Sequence, residues 1–250
     1  MKTIKYRFLI LIITLPALLW AEDRYEHKLV AGYNLGATAP SNIPEEIRKI
    51  EGWWPQFTPR LGYNATYKIN NNWFAGSGIM LDYKGMGTRV RAKYIHTRVR
   101  LEKGGEELEG YFVGKNETRV KLAYVTVPFF VGYNINRNWS IRAGGYASYA
   151  FSTSFKGSVY DGYLRTPTPT GKKIEFTGDD EATFDFGDDI RTFDFGFNLG
   201  AEYRVNERFG IFGNLDWGIR PIFPKKFRAM DFNMYNIYFS VGLTYQLQKT

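Results

Sequence analysis

Few residues in this sequence could carry out chemistry, and they are scattered along the chain. There is no cysteine, and the two histidines are His27 and His96, so thiolate chemistry is excluded and a Ser/His/Asp arrangement would need one of these two. His96 lies in the basic stretch RVRAKYIHTRVRLEKGG, which contains no serine. We therefore predict no catalytic, cofactor-binding or metal-binding residue, and expect that the protein is not an enzyme.

Two segments of opposite charge offer binding chemistry instead. Residues 85–119 are rich in arginine and lysine, and they could bind the phosphates of surface glycolipids. The stretch FTGDDEATFDFGDDI contains six acidic residues: Asp179, Asp180, Glu181, Asp185, Asp188 and Asp189. Clustered carboxylates suit hard cations such as Ca²⁺, but this spacing does not fit an EF-hand. Pairing between the acidic and basic segments explains both equally well.

The first residues have the pattern of an export signal. Lys2, Lys5 and Arg7 precede an apolar run over residues 8–19, and Ala21 is followed by the charged EDRYEHK. A run of about twelve apolar residues is too short to cross ~30 Å of hydrocarbon as a helix. We predict a signal peptide over residues 1–21 and one domain over residues 22–250. Removing three of the 33 basic residues and no acidic residue leaves 30 against 25, an excess that predicts no nucleic-acid partner.

A short motif recurs three times and sets the predicted topology. It reads YKINNNW at residues 67–73, YNINRNW at 133–139 and YRVNERF at 203–209. Asparagine favours tight turns because it tolerates left-handed backbone and closes Asx-turns. Residues alternate between apolar and polar on both sides of each motif, as β-strands do. Three hairpins are therefore predicted.

Two further strands, one at each end of the domain, bring the total to eight. The predicted connections at the opposite end from the tight turns are long: residues 37–56, 85–119, 157–189 and 221–234. An even strand number with short turns on one side and long loops on the other is typical of outer-membrane barrels. We predict an all-β fold, an eight-stranded antiparallel up-and-down transmembrane β-barrel with long extracellular loops. A ten-stranded barrel is the alternative.

The two faces of the strands must decide between lipid and water around this barrel. The polar face is predicted to point into the lumen with these charges: Arg60, Asp82, Arg142, Asp194, Glu202, Arg204, Asp216 and Arg220. Aromatic residues on the other face lie close to the tight turns or the end of the chain and predict a girdle at a membrane interface: Tyr67, Trp73, Tyr133, Trp139, Tyr203, Phe209 and Tyr245. The rival is a soluble barrel with an apolar interior. In residues 85–119 the charges fall on both alternating faces, which predicts a hairpin rising above the membrane.

The strand YVTVPFFVGYNI, the segment LDYKGMG and the closing strand FSVGLTYQL resemble the PorT-like outer-membrane β-barrel proteins. The resemblance implies a barrel in the cell outer membrane, and some relatives in that family look to be involved in protein secretion. An eight-stranded barrel is filled by its own side chains, so we expect a monomer with a plugged lumen that acts through its loops in binding, envelope organisation or secretion. The expected partners are outer-membrane lipid, glycolipid and a secretion or envelope protein. An enzyme acting on lipid or peptide and a narrow channel remain the alternatives.

Overall fold

A computed structural model describes residues 24–101, 105–176 and 181–247. The predicted signal peptide lies outside these residues. The strands are β1 (Tyr25–Ala39), β2 (Ile47–Pro55), β3 (Pro59–Lys68), β4 (Trp73–Leu101), β5 (Glu107–Asn134), β6 (Trp139–Thr166), β7 (Lys172–Phe176), β8 (Ala182–Asp185), β9 (Phe193–Arg204), β10 (Phe209–Gly218) and β11 (Tyr235–Gln246). Among the described residues no helix is long and apolar enough to cross a membrane.

Eight of these strands form a closed antiparallel ring. Its order is β1, β3, β4, β5, β6, β9, β10 and β11, and β11 returns to β1 with partners from Lys28–Gln246 to Ala39–Tyr235. Every pairing in the ring is antiparallel. The predicted eight-stranded up-and-down barrel is confirmed. Closure leaves the ring without unpaired edges.

Asparagine side chains hold the three tight turns in the same way. Asn136 Oδ1 accepts hydrogen bonds from the backbone N–H groups of Asn138 at 2.9 Å and Trp139 at 2.8 Å. Asn70 and Asn206 make the equivalent pairs of bonds in the other two motifs. The motif therefore recurs because each turn needs an acceptor at its first asparagine.

The barrel carries apolar side chains outside and polar side chains inside. Leu61 and Leu199 are 51% and 60% exposed, whereas Asn64 and Asn198 are 2% and 5% exposed. A soluble ligand-binding barrel would have the reverse arrangement. Within the described barrel interior, the cluster of buried apolar residues is small and consists of Val30, Met80 and Phe212.

Strands β4, β5 and β6 continue well past the barrel, so the predicted long connections are largely β-structure. We call the described residues within 40–58, 85–121, 152–192 and 221–234 the extension. In it, β8 pairs with both β4 and β6, which closes a second, smaller ring of β4, β5, β6 and β8. A large apolar core fills the extension and includes Val99, Phe112, Phe155, Leu164 and Phe176. Burial of these side chains holds the extension in place above the barrel.

A β-bulge corrects the prediction that the basic hairpin carries charge on both faces. The register of β4 shifts between Lys93 and Ile95, and Tyr94 has a φ of 60°. Odd-numbered residues face outward before the bulge, and even-numbered residues face outward after it. Arg91 before it and Arg98 after it therefore both face solvent, while the residues between them that face inward are buried.

Candidate functional site

The centre of the barrel lumen is a buried ion cluster around Arg60. The Arg60 guanidinium donates to Asp216 and to Ser240 Oγ at 2.8 Å, and its Nε lies 4.0 Å from Asp82. Asn34 Nδ2 donates to Asp82 Oδ1 at 2.7 Å. Arg60 and both carboxylates are almost wholly buried. A fully paired cluster of this kind fills the cross-section with fixed polar atoms and leaves little room for a solute.

Lys84 closes the lumen at the end nearest the extension. Its Nζ lies 3.8 Å from Asp82 and 4.0 Å from Asp194. The same ammonium lies 4.7 Å from the ring centre of Tyr146 and 5.4 Å from that of Tyr124, within the range of cation–π attraction. Lys84 lies two residues after Asp82, on the same polar face of its strand.

The remaining predicted lumen charges lie near the tight-turn end, apart from one. Glu202 accepts a hydrogen bond from Lys28 Nζ at 2.7 Å, and Arg142 and Arg204 line the same small cavity of about 40 Å³. Arg220 is different: it follows the end of β10, and its guanidinium lies 5.3 Å from the ring centre of Phe195, an outward side chain. The prediction that Arg220 points into the lumen is wrong because alternation stops where the strand ends.

The predicted girdle residues form pairs between neighbouring strands at the tight-turn end. The ring-centre distances of the four pairs are 5.0 Å for Trp73–Tyr133, 5.0 Å for Trp139–Tyr203, 5.1 Å for Phe209–Tyr245 and 5.2 Å for Tyr25–Tyr67. Tyr25 is the first residue of β1. It was missed because the predicted first strand began two residues later, at His27. Cross-strand aromatic pairs stabilise a sheet, and aromatics at such positions are suited to a membrane interface.

Ion pairs connect the charged parts of the extension. Glu117 accepts hydrogen bonds from Arg89 and Arg119, both at 2.8 Å, and the bond from Arg89 contributes most to lowering the pKa of Glu117. In the acidic segment, Asp185 pairs with Lys156 at 2.9 Å and Asp189 with Arg98 at 3.6 Å. Asp185 and Asp189 of the acidic segment thus pair with basic residues of the extension. Asp179 and Asp180 lie outside the described residues.

Neither histidine is placed in a triad-like arrangement within the described structure. His96 Nδ1 is 2.8 Å from the carbonyl oxygen of Arg228, its Nε2 is 3.5 Å from Glu109, and its ring packs against Tyr111. His27 is buried and hydrogen-bonds to the Tyr63 hydroxyl. No cluster of three or more potential metal ligands occurs among residues 24–101, 105–176 and 181–247.

An apolar cavity of about 340 Å³ lies inside the extension, above the outer end of β1. Its walls come from the end of β1 and the β1–β2 connection, from β2, β4, β5, β6 and β8, and from residues 186 and 230–234. The principal apolar contacts are Ile47, Ile50, Trp53, Met86, Ile95, Phe155, Phe184, Phe186, Met230, Phe232 and Met234. Its size lies near the lower end of the roughly 300–1,000 Å³ typical of small-molecule sites.

Residues 20–224 match the protein family described as "Outer membrane protein beta-barrel domain". This match covers more than half of the chain. The chain belongs to this family. As an outer-membrane β-barrel, the protein turns the apolar exterior of its strand ring toward lipid, and the predicted location is confirmed.

Solved structures similar to this outer-membrane barrel include two small bacterial proteins. The attachment invasion locus protein Ail of Yersinia pestis is 11% identical, with 90% of this chain and 98% of that chain covered and a TM-score of 0.34. OprG of Pseudomonas aeruginosa is 12% identical, with 90% and 94% covered and a TM-score of 0.32. None of the curated proteins compared with this chain matches it.

Proposed function

We propose that this protein is a sealed outer-membrane barrel that acts by binding through its extension. One contrast carries the proposal. The lumen is filled by the Arg60 and Lys84 clusters, whereas the extension has a large apolar core of its own and a second closed ring of strands. So much ordered structure outside the membrane is not needed to close the barrel, and surface segments on a rigid scaffold commonly carry binding function.

The finer role is binding of an envelope component, envelope organisation or support of protein secretion. The resemblance to PorT-like proteins supports the last of these. A monomer fits the proposal because the ring closes within one chain. Contact with outer-membrane lipid and glycolipid fits it because the described extension presents several solvent-exposed basic side chains, such as Arg91 and Arg100.

Site-specific photo-crosslinking in the intact envelope tests the binding role. A photoreactive amino acid would replace Tyr94 or Lys121, both exposed in the extension, or Asn71, which is exposed in a tight turn at the opposite end. We expect a discrete crosslinked protein or glycolipid from the two extension positions and none from Asn71. Adducts from Asn71 alone would place the partner on the other side of the membrane and overturn the proposal.

Conductance in a planar lipid bilayer tests the sealed lumen separately. The paired cluster around Arg60 predicts a silent bilayer for the wild-type protein. Regular conductance steps that change when Arg142 or Asp216 is neutralised would favour the narrow channel instead.

A further inference from the structure

Two β-bulges in β2 direct three apolar side chains toward the cavity in the extension. In an unbroken strand Ile47 and Ile50 would point to opposite faces. The register against β4 shifts between Ile47 and Lys49 and again between Ile50 and Gly52. Ile47, Ile50 and Trp53 therefore all lie on the inner side of β2, and all three line the cavity.

Two of these three side chains are poorly buried although they face inward. Ile50 is 54% exposed and Trp53 is 45% exposed, and Ile43 beside them is 64% exposed. Exposed apolar surface of this kind in a concave position is typical of a ligand site. Three methionines, Met86, Met230 and Met234, contribute to the wall, and methionine adapts readily to the shape of an apolar ligand.

The wall of the cavity contains no charged side chain among the residues that line it. Its polar groups are neutral and are supplied by Thr38, Thr88, Thr97, Asn116 and Thr118. A charged group would lose its hydration here without gaining a partner of opposite charge, and a peptide would leave most of its backbone groups unpaired. An uncharged aliphatic chain fits these walls best.

A seam between β1 and β2 runs along the wall of the cavity. Strand β1 pairs with β3 only as far as Tyr33 and Pro59, and it continues beside β11 to Ala39. Strand β2 pairs with β4 instead, and within the described sheet no ladder joins β1 to β2. Residues 37–40 and β2 therefore both line the cavity without strand pairing between them.

The seam lies beside the outer edge of the lipid-facing surface. Outward-facing Leu35 is exposed, and Phe57, in the short connection between β2 and β3, is 82% exposed. Apolar side chains this exposed on a membrane barrel contact lipid. An acyl chain in the adjoining leaflet would thus meet this seam without first passing through bulk water.

We propose that the cavity binds a single aliphatic chain, in the form of the acyl chain of a lipid or of a fatty acid. This inference rests on the proposed binding role of the extension and names the chemical class of its ligand. The chain would pack against Ile47, Ile50 and Trp53, while any polar headgroup would stay at the seam.

Photolabelling with diazirine-bearing acyl chains tests this proposal in phosphatidylcholine nanodiscs. One arm uses a C16 fatty acid as the probe, and the other uses phosphatidylcholine carrying the same chain, each with and without excess unlabelled palmitate. After illumination, labelled peptides are mapped by mass spectrometry. Label in residues 37–55, 86–97 or 228–234 supports the site, and the arm that produces it identifies whether the chain comes from free acid or from membrane lipid.

The decisive variant is Ile50→Glu, with Lys49→Glu as its matched control. The substitution at Ile50 would place a carboxylate against the acyl chain, so cavity labelling should fall by at least about tenfold. Lys49 lies on the outer face of the same strand, and its variant should label like wild type. Ile47→Glu provides a second variant on the inner face should Ile50→Glu not assemble into a heat-modifiable barrel.

Equal labelling of wild type and both inner-face variants, or label confined to the lipid-facing barrel strands, would overturn the acyl-chain site. Failure of the acyl-chain site can be distinguished from failure of the proposed binding function. Crosslinks from Tyr94 or Lys121 without acyl label would leave a binding extension with a different ligand, whereas acyl label without those crosslinks would remove the envelope partner alone.

Discussion

At the scale of single residues, the lumen depends on charges that cannot be removed one at a time. Arg60 is shared between Asp82 and Asp216, and both carboxylates are buried. Removing one member of a buried ion cluster leaves an uncompensated charge, which costs far more than the net stability that the intact cluster provides. Position in the cluster, rather than charge alone, therefore determines sensitivity to substitution.

Arg60→Ala is expected to lower the free energy of unfolding by roughly 3–5 kcal/mol, because buried Asp216 loses its cation and Asp82 keeps only Lys84 nearby. Urea unfolding in lipid vesicles, followed by tryptophan fluorescence, measures the change. Arg137→Ala in an exposed tight turn is the control and should stay within about 0.5 kcal/mol of wild type. Equal unfolding midpoints for the two variants would show that the cluster is dispensable.

The turn asparagines give a second prediction at this scale. Asn136→Ala removes the acceptor for two backbone N–H groups, and since these groups are reachable by water the cost should be roughly 1 kcal/mol. Asn136→Asp keeps an acceptor oxygen in place and should cost less than half as much. The same urea titration distinguishes them, and a larger loss for the aspartate variant would contradict the assigned role.

At the scale of secondary-structure elements, attachment of β2 to β4 determines the shape of the extension. The indole of Trp54 covers Gly87 so closely that a Cβ atom at that glycine would overlap the ring. Only glycine at this position permits the close contact. The same strand presents Ile47, Ile50 and Trp53 to the cavity, so its attachment also positions the proposed acyl-chain site.

Gly87→Ala is therefore expected to displace Trp54 and loosen β2, at a cost of roughly 1–3 kcal/mol for the overpacked contact. Limited trypsin digestion should cut faster after Arg48 or Lys49. Gly52→Ala, in β2 itself, is the matched control because its added Cβ would have no neighbour closer than 3.7 Å. Identical digestion rates for both variants would argue against the Trp54 contact as the attachment point.

At the scale of the whole molecule, barrel and extension have opposite interiors. The barrel has a polar lumen and relies on strand pairing around a closed ring within lipid, whereas the extension has an apolar core like that of a water-soluble domain. Because lipid cannot satisfy backbone polar groups, ring closure is the requirement inside the membrane. Above it, burial of apolar side chains stabilises the structure.

Replacing residues 87–119 and 156–188 each with a short Asn-Gly turn should leave the barrel able to assemble. All ring pairings inside the lipid-facing part, including β1 with β11, remain in this variant. A heat-modifiable band in gel electrophoresis would report the folded barrel. Lys121 lies outside the replaced segments, and crosslinking from its position would be lost because most of the extension is absent. Failure to assemble would mean that the extension is required for barrel folding.

The sequence by itself determined the eight strands, their order and their two faces. These features are local: alternation shows which side of a strand is apolar, and the repeated Tyr/Asn/aromatic motif marks each tight turn. Neighbouring strands in an up-and-down barrel are also neighbours in sequence. The positions of the turns therefore determine most of the strand order around the ring. Arg60, Asp82 and Asp216 could be placed on the inner face for this reason, although their mutual contacts could not.

Only the tertiary structure decided the architecture of the extension. Pairing of β8 with both β4 and β6 joins residues far apart in sequence, and no local pattern predicts it. The bulges in β2 and at Tyr94 exchange inner and outer residues in the middle of a strand, so a period of two fails across them. The apolar cavity depends on these bulges and on the seam between β1 and β2, because its walls meet only after the strands have paired.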